Sequence, residues 1–465
     1  MLIVENRKVG LTKKHWFGYM CGDWGGCMTF ALMSSIFSMF CTNALGIDPR
    51  LLGTLVIVWT IWDAVNDPIM GAIMDKTFAR KQDKRGKFRP WILRSTPLLA
   101  MTAIALWTAP TFFDGIPLIV VLFSTKILYE AAYTMFNIPM GSLLSAMSEN
   151  DVERASLSSA RGAGSGFGNA LTAVAPMIIK LFGDRSTTGY MIVGVGCAIV
   201  GFVVCLMHYA MTEERVVVNT SSVPESIKLT DILVVLTKNR PFIALCIHGI
   251  CICAMQYGTS ALSMYMYSAV YDNLNYQTLS SVISAPFMVG AMVAVPFLCK
   301  KYDLQKLIRI TLLIGSVFCA GLFAMHMVMD VHPLVHCILL GIGLGFPMVS
   351  IQMQWGMIGE AIDYNEYVTG KRTEGSIYGT FNLARRIGQT IGQGFALYAL
   401  SWIGYEGTAA VQTASTIFGM KVLCVLVPAI FILGSWAAFK FIWNISPDTR
   451  DKIKSEQSTS EVEID

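Results

Sequence analysis

The sequence predicts an all-α membrane protein with twelve transmembrane helices in two six-helix bundles. Hydrophobic residues make up 54% of the 465-residue chain and charged residues only 14%, and the mean hydropathy is +0.55. Soluble domains carry a larger charged fraction. Apolar stretches of roughly 20 residues, the length that crosses the hydrocarbon core of a bilayer, recur along the whole chain.

Twelve such stretches can be counted. They lie at about 16–44, 51–75, 91–111, 117–147, 154–182, 188–212, 240–271, 277–299, 305–328, 333–360, 374–402 and 415–445. The first begins after Lys13 and Lys14 and has no small-residue cleavage site, so we expect a retained helix rather than a signal peptide.

Basic residues are concentrated in alternate loops, and this asymmetry predicts orientation. Clusters lie at 76–89, 238–240, 300–309 and 371–372, whereas the loops on the other side carry few lysines or arginines. By the positive-inside rule both termini are cytoplasmic. We therefore expect a multi-pass protein of the cell (cytoplasmic, or inner) membrane whose surroundings are the lipid bilayer.

A polar connection at 213–238 separates the first six stretches from the last six. We therefore predict an N-terminal bundle at 1–212, a central cytoplasmic loop at 213–238, a C-terminal bundle at 239–445 and a cytoplasmic tail at 446–465. Two pseudo-symmetric bundles around a midplane site are typical of secondary transporters.

Two carboxylates interrupt the second apolar stretch. Asp63 and Asp67 are four residues apart, which places both on one face of a helix. Carboxylates at membrane depth are costly unless they face a polar cavity, pair, or hold a cation. The segment is therefore predicted to be a cation or proton site in a transport path.

Several other classes are disfavoured. The twelve cysteines and six histidines form no pattern typical of a metal or redox site, and there is no nucleotide-binding glycine loop. We expect no cofactor, no nucleic-acid partner, no obligate protein partner and no enzymatic activity. A membrane prenyltransferase would need a second acidic motif, and Asp363 and Glu366 have the wrong spacing. A sugar sensor that no longer transports is the other alternative.

Six segments carry a family resemblance, in order along the chain. They are 22–25, 62–71, 85–91, 137–142, 154–161 and 363–375. Together they resemble the glycoside-pentoside-hexuronide:cation symporters of the major facilitator superfamily, which include melibiose, xyloside and glucuronide carriers. The resemblance implies import of a glycoside with Na⁺ or H⁺ by alternating access.

The resemblance also implies roles for individual residues. In the family, the carboxylates that match Asp63 and Asp67 bind the coupling cation, and the residues that match Asn66 and Thr134 lie close by. Oxygen ligands suit Na⁺, whereas a desolvated carboxylate could carry a proton instead.

The expected substrate site departs from that of the melibiose carriers. Asn137 stands where they have an acid, Gly141 where they have a tryptophan, and Cys27 where they have an aspartate. These departures favour a glucuronide- or xyloside-type substrate. Arg161 matches a family arginine at the sugar site.

Further substrate candidates come from the polar and aromatic residues of the apolar stretches. Tyr133 and Asn137 lie in the fourth, Trp355 and Tyr378 could stack on a sugar ring, and Arg386 follows Arg385 in the eleventh. An arginine suits sugar hydroxyls or a substrate carboxylate. The arginines could equally neutralise Asp63, Asp67 or Glu130.

Charged residues at the predicted cytoplasmic helix ends are expected to form a gate. Ion pairs between the two bundles would close the inner side and break when it opens, although ordinary interfacial anchoring is the alternative for each residue. The set is Arg85, Lys87, Arg89, Asp363, Glu366, Arg372 and Glu374.

Overall fold

The structure, a computed structural model, describes residues 10–80, 85–148, 151–215, 239–369, 374–409, 411–445, 449–450 and 452. Within these ranges the chain is mostly helical and contains no β-strand, which confirms the predicted all-α membrane fold. Eight helices of this part are long and apolar enough to cross a membrane, and a helix pair bent by 48° after Ser35 would make nine. The count of twelve stays a prediction.

The chain divides into two compact units, Met1–Val223 with Glu406–Ala410, and Pro224–Tyr405 with Val411–Asp465. The predicted central loop at 213–238 is described only as far as Arg215, and little of the tail at 446–465 is described. Both boundaries therefore remain predictions.

The first unit contains eight of the described α-helices. They are α1 (Lys13–Ser35), α2 (Phe37–Met39), α3 (Pro49–Arg80), α4 (Arg89–Thr108), α5 (Gly115–Met147), α6 (Asp151–Ala173), α7 (Ala175–Phe182) and α8 (Thr187–Met211). A π-helix, Phe40–Ala44, continues α2, and a 3₁₀-helix, Ala109–Phe112, continues α4.

The second unit contains nine of the described α-helices. They are α9 (Arg240–Ala269), α10 (Asn275–Lys301), α11 (Leu304–Val328), α12 (Pro333–Gly345), α13 (Met348–Thr369), α14 (Glu374–Thr390), α15 (Ala396–Trp402), α16 (Ala414–Lys421) and α17 (Val427–Ala437). Three π-helices, Ile391–Phe395, Val422–Leu426 and Ala438–Ile442, follow α14, α16 and α17.

Glycines let α1 pack closely against both α6 and α8. A Cβ atom on Gly164 would collide with the main-chain carbonyl of Met20, and one on Gly25 would lie 2.5 Å from the Cys205 sulfur. Small residues at such crossings allow backbones to approach in membrane proteins, where packing rather than hydrophobicity drives association. This close approach fixes which side chains of α1 and α6 meet.

A similar crossing occurs in the second unit, between α9 and α14. A Cβ atom on Gly388 would collide with the carbonyl of Ile250, and one on Gly392 would lie 2.7 Å from the carbonyl of Ala254. In the first unit, a Cβ atom on Gly168 of α6 would likewise lie 2.9 Å from the carbonyl of Trp24 in α1. The first and fifth long helices of each unit therefore pack through glycines that are four residues apart.

Candidate functional site

One face of α5 carries a row of polar side chains. Lys126, Glu130, Tyr133, Thr134 and Asn137 follow one another at three- and four-residue intervals, which aligns them on one helical surface. Thr134 is 2% exposed, while Tyr133 and Asn137 are half-buried. The sequence predicted the last three of these residues but did not place Lys126 in the site.

Helix α3 packs against α5, and two interactions indicate how the two helices align. The rings of Trp59 and Phe123 stack with centroids 6.2 Å apart, and Asp63, one turn after Trp59, lies within electrostatic range of Tyr129. Both contacts advance in the same direction along the two helices. The turn that holds Asn66 and Asp67 is therefore expected to lie near the level of Thr134.

The four predicted cation-site residues are described to different degrees. Asp63 is half-buried and Asn66 is 9% exposed, and the amide nitrogen of Asn66 has no hydrogen-bond partner within the described ranges. This nitrogen is a hydrogen-bond donor, so an acceptor oxygen could complete it, whereas a cation would bind the amide oxygen of Asn66. Asp67 lies in α3, but its side chain is outside the description.

Arg161 pairs with Asp23, an acid that the sequence reasoning did not consider as its partner. Its Nε donates to Oδ2 of Asp23 at 2.5 Å and its Nη2 to Oδ1 at 3.3 Å. The Asp23 side chain is 8% exposed and that of Arg161 37%. This bidentate pair brings together α6 and α1, and it leaves part of the guanidinium accessible.

The surroundings of Arg161 favour a glycine rather than a tryptophan at position 141. A Cβ atom on Gly141 would lie 3.5 Å from Nη1 of Arg161, so the guanidinium lies beside this glycine, one turn after Asn137 on α5. A tryptophan at Gly141, as in melibiose carriers, would meet the guanidinium in this position. The structure thus groups Asp23, Arg161 and the Asn137 end of the polar face of α5.

The substrate candidates of the second unit are less completely described. Trp355 lies in α13 and Tyr378 in α14, but their side chains are outside the description. Arg385 and Arg386 are half-buried in α14. The spacing Arg161, Gly164, Gly168 recurs as Arg385, Gly388, Gly392, and a Cβ atom on Gly249 of α9 would lie 3.3 Å from Cγ of Arg385. Arg385, not Arg386, therefore occupies the position that corresponds to Arg161.

Backbone N–H groups of two predicted gate residues bind a carboxylate that the sequence did not point to. Glu214 accepts hydrogen bonds from the backbone N–H groups of Lys87 (2.8 Å), Phe88 (2.7 Å) and Arg89 (2.9 Å) at the start of α4. The positive end of a helix favours such an anion. Gly86, with φ of 106°, has no room for a Cβ atom beside this carboxylate.

Arg89 is also held inside the first unit. Its Nη2 donates to the carbonyl of Tyr209 at 3.0 Å, and its guanidinium lies 4.6 Å from the ring of Tyr209. Arg85 is exposed and Lys87 half-buried. These contacts tie the loop before α4 to the end of α8.

The remaining gate candidates belong to α13, α14 and the segment between them. Asp363 and Glu366 are half-buried in α13, the side chain of Glu374 in α14 is outside the description, and Arg372 lies outside the described residues. The sequence did not predict a group of ion pairs in the second unit, in which Arg450 donates to Asp303 at 2.8 Å and to Glu360 at 3.1 Å.

Comparison with known proteins identifies relatives over nearly the full chain. The chain is 26% identical over 451 residues to an uncharacterized symporter, YjmB, of Bacillus subtilis, with 97% of this chain and 96% of the relative covered. It is 28% identical to the glucuronide carrier protein homolog of Escherichia coli, with 94% and 93% covered. It is 27% identical to the isoprimeverose transporter of Lactiplantibacillus pentosus, with 89% and 85% covered.

A solved structure supports the fold. The crystal structure of a bacterial homolog of the human lysosomal transporter Spinster matches with a TM-score of 0.66 at 11% identity, covering 94% of this chain and all of the other. At this level of identity the likeness concerns the fold alone. The family model described as MFS/sugar transport protein matches residues 18–445. The chain is therefore a transporter and not an enzyme, and it belongs to the MFS/sugar transport proteins of the major facilitator superfamily, as its resemblance to the glycoside-pentoside-hexuronide symporters indicated.

Proposed function

We propose that this transporter imports a glycoside together with Na⁺ or H⁺ by alternating access, across the cell membrane and with both termini in the cytoplasm. The observation that carries the proposal is the ion pair between the buried Asp23 and the partly exposed Arg161. It presents a fixed guanidinium beside a polar helix face inside an apolar unit. Nothing covalent happens to the substrate.

The guanidinium of Arg161 is suited to sugar recognition. Arginine has five N–H donors in a rigid plane, and the pair with Asp23 uses two of the three nitrogens. The exposed part of the side chain can donate to sugar hydroxyls or to a substrate carboxylate. Asp23 holds the fork in one orientation, which lowers the entropy cost of binding.

The substrate class follows from the same surroundings and from relatives. Asn137 and Gly141 leave a site without the acid and the tryptophan of the melibiose carriers. Two of the relatives named above are a glucuronide carrier homolog and an isoprimeverose transporter. We therefore propose a glucuronide, a xyloside or a related glycoside, with Tyr133, Asn137 and Arg161 as contacts from the first unit.

Contacts from the second unit complete the proposal. Trp355 and Tyr378 are proposed to stack on a sugar ring, because the apolar faces of sugars pack on aromatic side chains, and Arg386 to donate to the sugar. The coupling cation is proposed to bind at Asp63, Asn66, Asp67 and Thr134. These residues offer the carboxylate, amide and hydroxyl oxygens that a hard cation prefers.

The charged loops are proposed to act as a gate, with Arg85, Lys87, Arg89, Asp363, Glu366, Arg372 and Glu374 as members. A gate needs charge pairs that break and reform between two states, because a conformational equilibrium shifts only through differential contacts. The contact of Arg89 with Tyr209 would keep the loop before α4 rigid, so that it moves with the first unit.

A counterflow assay in proteoliposomes tests the proposal. Vesicles loaded with one unlabelled glycoside are diluted into the same labelled glycoside, over a panel of glucuronides, xylosides and neutral disaccharides, at varied Na⁺ and pH. We expect counterflow for one class and a dependence of net uptake on Na⁺ or on a proton gradient. Binding without counterflow would indicate a sensor. Uptake that ignores both ions would exclude symport.

A further inference from the structure

A buried lysine, Lys126, lies about a third of the way along α5, in a helix segment, Gly115–Leu144, that is apolar enough to cross a membrane. The ammonium of Lys126 bonds to the carboxylate of Glu130, one turn later on the same helix. The two side chains are 9% and 11% exposed. Charged residues at this depth are costly, and they are commonly functional.

Three aromatic rings surround the same ammonium. The Nζ atom of Lys126 lies 5.5 Å from the ring centroid of Phe37, 6.0 Å from that of Trp59 and 5.3 Å from that of Tyr129. The rings come from α2, α3 and α5. Each is within the distance at which a ring face attracts a cation, and the attraction grows when water is excluded. Together with Glu130 they form an aromatic cage for a monovalent cation.

The cage borders the proposed coupling site within the first unit. Asp63 follows Trp59, one of the rings of the cage, by one turn of α3. Thr134 follows Glu130 by one turn. The cage, with a second carboxylate, Glu130, whose charge is already balanced by Lys126, therefore lies one turn away from the proposed coupling site along both α3 and α5.

We propose that Lys126 is a resident cation that fills a second cation-binding pocket formed by Glu130, Phe37, Trp59 and Tyr129. The tethered ammonium keeps Glu130 from taking up a transported ion. Without it, the pocket would accept a small monovalent cation of the solution, such as methylammonium or Na⁺. The role of this pocket in ion coupling rests on the symport proposed above. The existence of the pocket does not depend on that proposal.

Removal of the lysine side chain tests the pocket directly. The thermal unfolding midpoint of purified Lys126→Ala protein is measured against increasing methylammonium chloride, with choline chloride at equal ionic strength as the control. Because a ligand that binds only the folded state stabilises it by mass action, we expect a saturable rise of several degrees in the variant. Wild-type protein should show no such rise, since Lys126 occupies the pocket.

The double variant Lys126→Ala/Glu130→Gln separates the cage from a general salt effect. It keeps the rings but removes the carboxylate, so the response to methylammonium should disappear. An equal response in the wild type or in the double variant would overturn the proposal, and so would no response in Lys126→Ala. If Lys126→Ala does not accumulate in folded form, its yield is measured in cells grown with methylammonium, and a yield that does not recover counts against the pocket.

Ion coupling provides the second readout. In proteoliposomes we expect Lys126→Ala to move one more monovalent cation per glycoside than the wild type, from reversal potentials at fixed gradients, whereas Lys126→Arg keeps the wild-type ratio. An unchanged ratio in Lys126→Ala would overturn the coupling role. If wild-type uptake depends on no cation, the proposed symport is wrong. The thermal response would still test whether the pocket binds a cation.

Discussion

Replacing Gly164 with alanine should disrupt the first unit, whereas the same change at Gly166 should not. A Cβ atom on Gly164 would collide with the carbonyl of Met20 and lie 3.0 Å from the amide nitrogen of Trp24. These are main-chain atoms of α1, so no side chain can rotate away. A Cβ atom on Gly166 meets nothing within 4 Å.

The two substitutions should change the free energy of unfolding in opposite directions. Overpacking a tight site costs about 1–3 kcal/mol, and we take the upper value at Gly164 because backbone has to move. Alanine gains about 1 kcal/mol over glycine in helix propensity at either position. The expected net effect is therefore about 2 kcal/mol of destabilisation for Gly164→Ala and about 1 kcal/mol of stabilisation for Gly166→Ala.

The change at Gly164 should also reach the substrate site. Arg161 precedes Gly164 by three residues, and its bidentate bonds to Asp23 require the close approach of α6 to α1. A shift of even a fraction of an ångström lengthens those bonds, so glycoside affinity should fall about tenfold, which corresponds to about 1.4 kcal/mol.

Thermal unfolding midpoints and equilibrium binding of the purified variants test this reasoning. We expect a lower midpoint and weaker binding in Gly164→Ala, and an unchanged or higher midpoint with wild-type binding in Gly166→Ala. Equal midpoints in the two variants would refute the idea that the glycine contact fixes the crossing of α1 and α6. A lower midpoint with unchanged affinity would mean that the crossing of α1 and α6 does not affect glycoside binding.

Substitutions at three further positions test individual parts. For a substrate with a carboxylate, Arg161→Lys should weaken binding less than Arg161→Gln, because the charge is kept although the fork is lost; equal losses indicate a neutral glycoside, and no loss in either excludes Arg161 from the site. Asp67→Asn should abolish concentrative uptake while sugar binding remains, and wild-type accumulation would exclude Asp67 from coupling. Glu214→Gln should lower the unfolding midpoint, since a charge at the start of α4 contributes about 0.3–1 kcal/mol; an unchanged midpoint would mean that the three backbone bonds do not need the charge.

Sequence reasoning found the features that contrast with an apolar background. Asp63 and Asp67 stand out because two acids lie one turn apart in an otherwise apolar stretch, and the fold class follows from hydropathy alone. Lys126 was equally visible as a charge in the fourth stretch, but a single lysine does not reveal which rings surround it. The cage includes Phe37 and Trp59 from two other helices, and only packing brings them together.

The partner of Arg161 could not be read from sequence for a related reason. Asp23 and Arg161 are 138 residues apart, and several acids lie in apolar stretches. The choice among them depends on which helices touch and in which register. Here Gly164 and Gly168 determine the register of α6 against α1. The sequence does not show that these glycines face α1, so it does not reveal the register.

The glycine register also suggests which arginine of α14 matters. Arg385 and Arg386 are adjacent, and one residue rotates a side chain by about 100° around a helix, so only one can occupy the position that corresponds to Arg161. That residue is Arg385, three residues before Gly388, as Arg161 is three residues before Gly164.

The two arginines can be compared directly. If the two units contribute to the site in the same way, Arg385→Gln should weaken glycoside binding about as much as Arg161→Gln. Arg386→Gln is the matched control in the same turn of α14, although the family resemblance favours Arg386 as the sugar contact. Binding is measured by equilibrium titration, with the unfolding midpoint to show that each variant is folded. A larger loss in Arg386→Gln than in Arg385→Gln would mean that the repeat of glycines reflects helix packing only, and that the two units present different side chains to the substrate.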